Sequence, residues 1–227
     1  MSALDAARRQ RIVLVVAVVI ASGYVWLRGV FAGLRAAGRD ESRAAQTTPA
    51  PAGLAKATFA TGCFWSTESD VDRLPGVITT TSGYTGGSVA NPDYKTVLTG
   101  TTGHAEAVEV LYDPAVLTYD ALLDHFWHNV DPFTANGQFC DLGSQYRPEI
   151  FVHDATQRAA AEASRARMQE RFPGRPIVVA ITDAGAFYPA ENYHQDYARK
   201  NPAQYRFYRY GCGRDARLHD IWDSNPN

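Results

Sequence analysis

Two hydrophobic periods alternate along the chain from position 57 onward. Residues 57–61 (ATFAT) read as a short strand running into Gly62 and Cys63. Helical spacing follows over 67–74, stopped by Pro75 and Gly76. Residues 77–84 (VITTTSGY) are rich in β-formers and lead into the turn-rich TGGSVANPDY. Residues 105–112 (AEAVEVLY) alternate well enough for a strand. Over 119–129 the apolar residues Leu122, Leu123, Phe126 and Trp127 recur at helical spacing, with Thr118 as N-cap. Residues 131–147 form a long polar, glycine-containing loop. A strand over 149–153, an alanine-rich helix over 154–172 capped by Asp154, a β-branched strand over 177–182 and a short helix over 193–200 complete the pattern. The segment from Gly211 onward reads as irregular. This mixture predicts an α+β or α/β two-layer sandwich.

The first 55 residues follow a different rule. Residues 12–27 (IVLVVAVVIASGYVWL) carry no charge, with Arg8, Arg9 and Arg11 before them and Arg28 after. A membrane span needs about 20 apolar residues. Snorkelling of Arg28 extends the run through Val30 and Phe31. The basic start and apolar centre also fit a secretory signal, but no convincing cleavage site follows. The expected organisation is a basic segment 1–11, a membrane anchor or signal-anchor helix 12–31, a flexible linker 32–55, and a catalytic domain 56–227. The expected location is membrane-anchored with the domain on the extracytoplasmic side, or exported if the signal is cleaved.

Composition narrows the function. Of 227 residues, 45% are hydrophobic and 20% charged, which is ordinary for a globular domain. The net charge of −2 gives no field toward nucleic acid. Three cysteines, Cys63, Cys140 and Cys212, lie far apart with no CxxC pair. That spacing argues against a zinc ribbon and supplies too few thiols for a disulfide scaffold. A reactive thiol with one or two partners remains.

Four segments carry candidate chemistry. In Gly62-Cys63-Phe64-Trp65 a strand yields to a helix start, where the helix dipole lowers a thiol's pKa and two aromatics wall the site. In Thr102-Gly103-His104-Ala105-Glu106 a carboxyl near an apolar pocket is held protonated by desolvation and can act as an acid. Cys140 to Arg147 contains Asp141 and Tyr146, and Tyr94 sits beside another loop. In Gly211-Cys212-Gly213, mobile backbone suits a thiol that must travel to a second sulfur. Each has an ordinary structural alternative: a core cysteine, an exposed strand charge, packed tyrosines, a thiol tucked under the tail.

Taken in order, these pieces resemble the peptide methionine sulfoxide reductase family, A type. The matching segments are TGCFW, LPGVITTTSGYTGG, NPDY, TGHAEAVEVLYDP, FWHNVDPF, GQFCDLGSQYRPEIF, FYPAENYHQDY and YGCGRDARL, spread over 57–222. The resemblance implies an α/β roll related to the ferredoxin-like sandwich. It implies no bound metal or organic cofactor, and an external dithiol reductant of the thioredoxin kind. By position, Cys63 is the nucleophile. Phe64 and Trp65 line the S-methyl pocket, Glu106, Tyr94 and Tyr146 surround the sulfoxide oxygen, and Asp141 borders that pocket. Ser66 stands where glycine is common and Asn192 where an acidic residue is common. Both flank key positions, and activity is expected to survive. The expected substrate is methionine S-sulfoxide, free or in oxidised proteins and peptides.

Attack by Cys63 leaves a sulfenic acid that a second thiol condenses with. Cys212 is the first choice as resolving thiol, because Gly211 and Gly213 give it reach. Cys140 is the alternative, and a relay through both stays open. Two rivals predict differently. A Cys63–His104 hydrolase needs no second cysteine, and a tethered module that binds methionine-rich or oxidised peptides needs no turnover.

Overall fold

The computed structural model describes residues 45–46 and 49–223. The expected basic segment, the anchor helix and residues 32–44 and 47–48 of the linker lie outside the described residues, and Ala55, expected as linker, opens the first strand. Among the described residues no helix is long and apolar enough to cross a membrane.

The described chain is a mixed α/β domain. Its elements are β1 (Ala55–Thr61), α1 (Phe64–Val71), β2 (Val77–Thr85), α2 (Tyr94–Leu98), β3 (Ala105–Tyr112) and α3 (Tyr119–Trp127). There follow β4 (Gly137–Gln138), β5 (Asp141–Leu142), a 3-10 turn (Ser144–Tyr146), β6 (Pro148–Val152), α4 (Ala155–Arg171), β7 (Ala180–Asp183) and β8 (Tyr188–Pro189). Three helices close the chain: α5 (Tyr197–Lys200), α6 (Pro202–Cys212) and α7 (Arg214–Trp222). One six-stranded sheet has the order β7-β6-β1-β3-β2-β8, and β4 and β5 form a separate hairpin. β1 lies antiparallel to both β3 and β6, and only β6 and β7 run parallel.

Alternation along the strands builds two cores, because successive side chains leave a strand on opposite faces. Ala57 and Phe59 of β1, Val108, Val110 and Tyr112 of β3, and Ile150 and Val152 of β6 share one core with Phe64 of α1, the α3 residues Leu122, Leu123, Phe126 and Trp127, and Ala161 of α4. Ala60, Ala105, Ala107 and Phe151 form a smaller core with Phe187 on the other face. Burying a side chain such as Phe59 contributes about 2–3 kcal/mol. Glu106 lies in register with the first set, so its carboxyl falls on the helix-covered face.

The elements depart from the sequence expectation in places. α1 begins at Phe64, not 67, because Cys63 caps it directly after the strand. The 131–147 loop contains the β4–β5 hairpin and the 3-10 turn, held by Gln138, whose carbonyl accepts from Asp131 N–H and whose amide donates to Asp131 O and Thr134 O. The strand expected over 177–182 is Ala180–Asp183, and the helix expected over 193–200 is Tyr197–Lys200. The C-terminus is not irregular but helical on both sides of Gly213. Gly213, at φ +70°, turns α6 into α7, and tertiary anchoring by Arg214 holds the pair in place. Cys212 is accordingly the last residue of a helix and not part of a mobile tail.

Candidate active site

The end of β1 fixes the nucleophile candidate. Gly62 takes φ +93°, where a Cβ would come within 2.7 Å of Gln138 Cβ, so glycine alone suits this bend. Cys63 then caps α1, 7% exposed, and is the free cysteine among the described residues. β3 ends its pairing with β1 just short of Glu106, leaving that carboxyl at the start of α1, where the Phe64 N–H donates to Oε2 at 3.1 Å. Glu106 is 1% exposed. Burial pushes its pKa from 4.5 up to about 8, against the Phe64 hydrogen bond, with further upward pressure from Asp141. The carboxyl is therefore largely protonated near neutral pH.

The thiol behaves otherwise than its helix position suggests. The Cys63 pKa is raised, first by burial and next by Glu106, while a hydrogen bond with Tyr208 lowers it. A helix terminus contributes about 0.3–1 kcal/mol, too little to offset desolvation of a buried thiolate. In the resting site a neutral thiol faces a neutral acid.

The two tyrosines of the sequence reading converge here. Tyr94 opens α2, its N–H donating to Glu191 Oε1 at 3.0 Å, while the Tyr84 hydroxyl donates to Glu191 Oε2 at 2.9 Å. Tyr146 ends the 3-10 turn. Burial raises both phenols, and Glu106 is the next cause for each, with Cys63 also acting on both. Both remain neutral donors around one carboxyl and one thiol.

The aromatic wall is built on α1. Phe64 is buried, 4.9 Å from the His194 ring and 5.9 Å from Tyr84. Trp65 stacks on Tyr197 at 3.7 Å and donates through Nε1–H to His194 Nδ1 at 3.0 Å. The Tyr94 ring lies 4.4 Å from that same imidazole. Of the family departures, Ser66 is buried, and the main chain of Asn192 accepts from Lys200.

Cys140 and Cys212 are joined as a disulfide. Asp141 follows Cys140 on the hairpin and accepts a hydrogen bond from the Tyr208 hydroxyl at 2.5 Å. Its pKa is raised by burial, while Tyr208 and Arg214 work the other way. The donor atoms of Cys140, Asp141 and Cys212 lie within 4.8 Å of one another, but two of the three are bonded to each other and unavailable to a metal.

Sequence reasoning missed Tyr208, His194 and Arg214. Tyr208 stands four residues before Cys212, one helical turn away, and a helical reading of the C-terminus would have placed both on one face. His104 goes elsewhere. Its Nδ1 accepts from Gly87 N–H at 3.1 Å, so its Nε2–H donates to Val89 O at 2.8 Å. Neither ring nitrogen is left to activate Cys63, which removes the basis of the hydrolase reading.

A buried thiol set against a proton donor, with the other two cysteines joined as a cystine, fits enzymes that use thiols as two-electron reductants. The family model described as peptide methionine sulfoxide reductase matches residues 55–226. The chain belongs to this family, whose members carry out thiol-dependent reduction of methionine sulfoxide. It is 51% identical over 166 residues to peptide methionine sulfoxide reductase MsrA 2 of Caulobacter vibrioides, covering 73% of this chain and 84% of that one. It is 44% identical to peptide methionine sulfoxide reductase MsrA/MsrB of Vibrio cholerae over 76% of this chain, and spans only 46% of that longer relative. The solved structure of Mxr1 from Saccharomyces cerevisiae in reduced form matches with a TM-score of 0.64 at 34% identity, over 69% of this chain and 90% of that one.

Proposed function

We propose that the domain reduces the S epimer of methionine sulfoxide in oxidised proteins and peptides, with Cys63 as the attacking thiol. The observation that carries this reading is the protonated Glu106 carboxyl, fixed by the Phe64 N–H at the helix end where Cys63 sits. A sulfoxide joins a strongly polar S–O group to an apolar methyl. Phe64 and Trp65 receive the methyl, while the Tyr94 and Tyr146 hydroxyls donate to the oxygen. Glu106 gives its proton to that oxygen as the Cys63 sulfur attacks, and takes up the thiol proton in exchange. The S–O bond of the substrate breaks and an S–O bond to Cys63 forms. Methionine leaves, and Cys63 holds a sulfenic acid.

The second half regenerates Cys63. Cys212 attacks the sulfenic sulfur, releasing water and forming a Cys63–Cys212 disulfide. Cys140 then displaces Cys63 from Cys212. A free Cys63 with a Cys140–Cys212 disulfide is the product of such a relay, whichever of the two thiols attacks first. Cys140 is the exposed member of the pair, open to an external dithiol of the thioredoxin kind.

The test is turnover of a peptide carrying each methionine sulfoxide epimer, with a dithiol present. Wild type is expected to reduce the S form alone, and Cys63→Ser to lose activity by at least about 1000-fold. A folded, fully reduced wild type that reduces neither epimer would overturn the reading in favour of a peptide-binding module.

A further inference from the structure

Tyr208 lies at the meeting point of the two sulfur centres. Its hydroxyl donates to Asp141 Oδ2 at 2.5 Å. Cys212 Sγ lies 3.9 Å from that hydroxyl and 4.0 Å from Asp141 Oδ2. After burial, the Cys63 thiol is the next cause that raises the Tyr208 phenol, and Tyr208 in turn lowers the thiol, so the two groups are electrostatically coupled. The ring is fixed by an edge contact with Trp65 at 5.8 Å, and α6 carries Tyr208 and Cys212 one turn apart.

Resting on the sulfoxide reductase reading, we propose that Tyr208 and Asp141 form a proton relay dedicated to the resolving step, separate from Glu106, which serves the reducing step. The resolving step has its own acid–base demand. Cys212 must lose its thiol proton before it attacks, and the hydroxyl on Cys63 must gain one before it leaves as water. A phenol accepts and donates at the same oxygen. Tyr208 takes the Cys212 proton while passing its own to Asp141. The relay then runs backward to the Cys63 hydroxyl as the S–O bond breaks and the Cys63–Cys212 bond forms. One thiol and one sulfenic acid give one disulfide and one water, with no net proton gained or lost. The titratable and charged groups bearing on this relay are Cys63, Asp141, the Arg214 guanidinium and, through Asp141, Glu106.

The experiment follows a single turnover of full-length reduced enzyme with methionine sulfoxide and no reductant. It records methionine release and the decay of the Cys63 sulfenic acid, the latter by trapping with dimedone. Tyr208→Phe keeps the ring against Trp65 and removes only the hydroxyl. The expected result in the first turnover is disulfide formation slowed by about 100-fold, with methionine release slowed far less. Disulfide formation in the variant is further expected to rise with pH as solvent takes over deprotonation of Cys212, where wild type varies little. Substitution of Tyr208 by 3-fluorotyrosine, a near-isosteric and more acidic phenol, is expected to keep methionine release and shift that pH profile. Wild-type disulfide kinetics in Tyr208→Phe would overturn the proposal, as would equal slowing of both steps, which marks a structural role. Absence of methionine from the wild type itself would instead remove the reductase reading on which the proposal stands.

Discussion

Glu106 shows how one buried group links folding to chemistry. Its folded pKa of about 8 stands above the ordinary 4.5, so the folded state holds a proton that the unfolded chain releases between those values. The stability associated with this raised pKa is complete below about pH 4.5 and declines as pH rises toward about 8, because the unfolded carboxyl ionises freely while the buried one resists. Glu106→Gln keeps the neutral form at every pH. Its melting temperature is expected to gain on wild type progressively from about pH 5 to about pH 9. Its turnover is expected to fall by at least about 100-fold, since the amide is too weak an acid to transfer a proton. Wild-type turnover is expected to decline above about pH 8 as the acid ionises. Thermal unfolding and steady-state rates across this range check both halves. A gap in melting temperature that narrows with pH would contradict the protonated assignment.

At the scale of elements, the short connections place the sulfurs. Gly62 and Gly213 both adopt positive φ, and their surroundings make different predictions. A Cβ at Gly62 meets Gln138 at 2.7 Å, and Gln138 cannot swing aside without giving up its three hydrogen bonds around Asp131 and Thr134. A Cβ at Gly213 meets nothing within 4 Å. Gly213→Ala is therefore expected to cost about 1 kcal/mol from backbone conformation alone. Gly62→Ala is expected to cost about 2–4 kcal/mol and to depress methionine release as well, because the bend that aims Cys63 shifts with it. Denaturant unfolding and single-turnover rates of the two variants make the comparison. Equal stability losses would show that the Gln138 contact yields freely.

At the scale of the whole molecule, one side chain ties the C-terminal helices to the sheet. Arg214 is 2% exposed. It donates to Thr61 O at 3.0 Å, Thr61 Oγ1 at 3.2 Å and Asn129 O at 2.7 Å, and lies 4.6 Å from the Phe139 ring centre. Thr61 precedes Gly62 and Cys63, and Gly213 and Cys212 precede Arg214, so this tether brings the two sulfur-bearing turns together across the fold. Arg214→Leu removes it and leaves the Thr61 and Asn129 carbonyls short of a donor, while Asp70 keeps its bonds from Arg209. The expected loss is about 3–5 kcal/mol of stability. Resolving-disulfide formation is also expected to slow more than methionine release. Urea unfolding and sulfenic acid lifetime measure the two, and an unchanged lifetime would detach the tether from the chemistry.

The sequence by itself determined most of the alternation of strands and helices through 57–172, though not α2 or the β4–β5 hairpin, because hydrophobic period is a local property that survives in the fold. The order of its motifs, through the resemblance they carry, also pointed to Cys63, Glu106, Tyr94, Tyr146 and Asp141, which local chemistry alone did not set apart from ordinary structural residues. Their convergence was not legible. Glu106 looked like any strand charge until the pairing of β3 with β1 and the start of α1 set its carboxyl under a backbone N–H. The same burial reversed the expected effect of the helix end on Cys63, since desolvation depends on what packs around a group and not on its neighbours in sequence. The C-terminus was misread for a related reason. Glycine at 211 and 213 signals irregularity locally, whereas Arg214, Tyr208 and the Cys140–Cys212 bond secure two helices through partners 67 to 153 positions away. Residue types and their order supplied the chemistry available; the distances that decide which sulfur meets which, and where each proton goes, came only from tertiary packing.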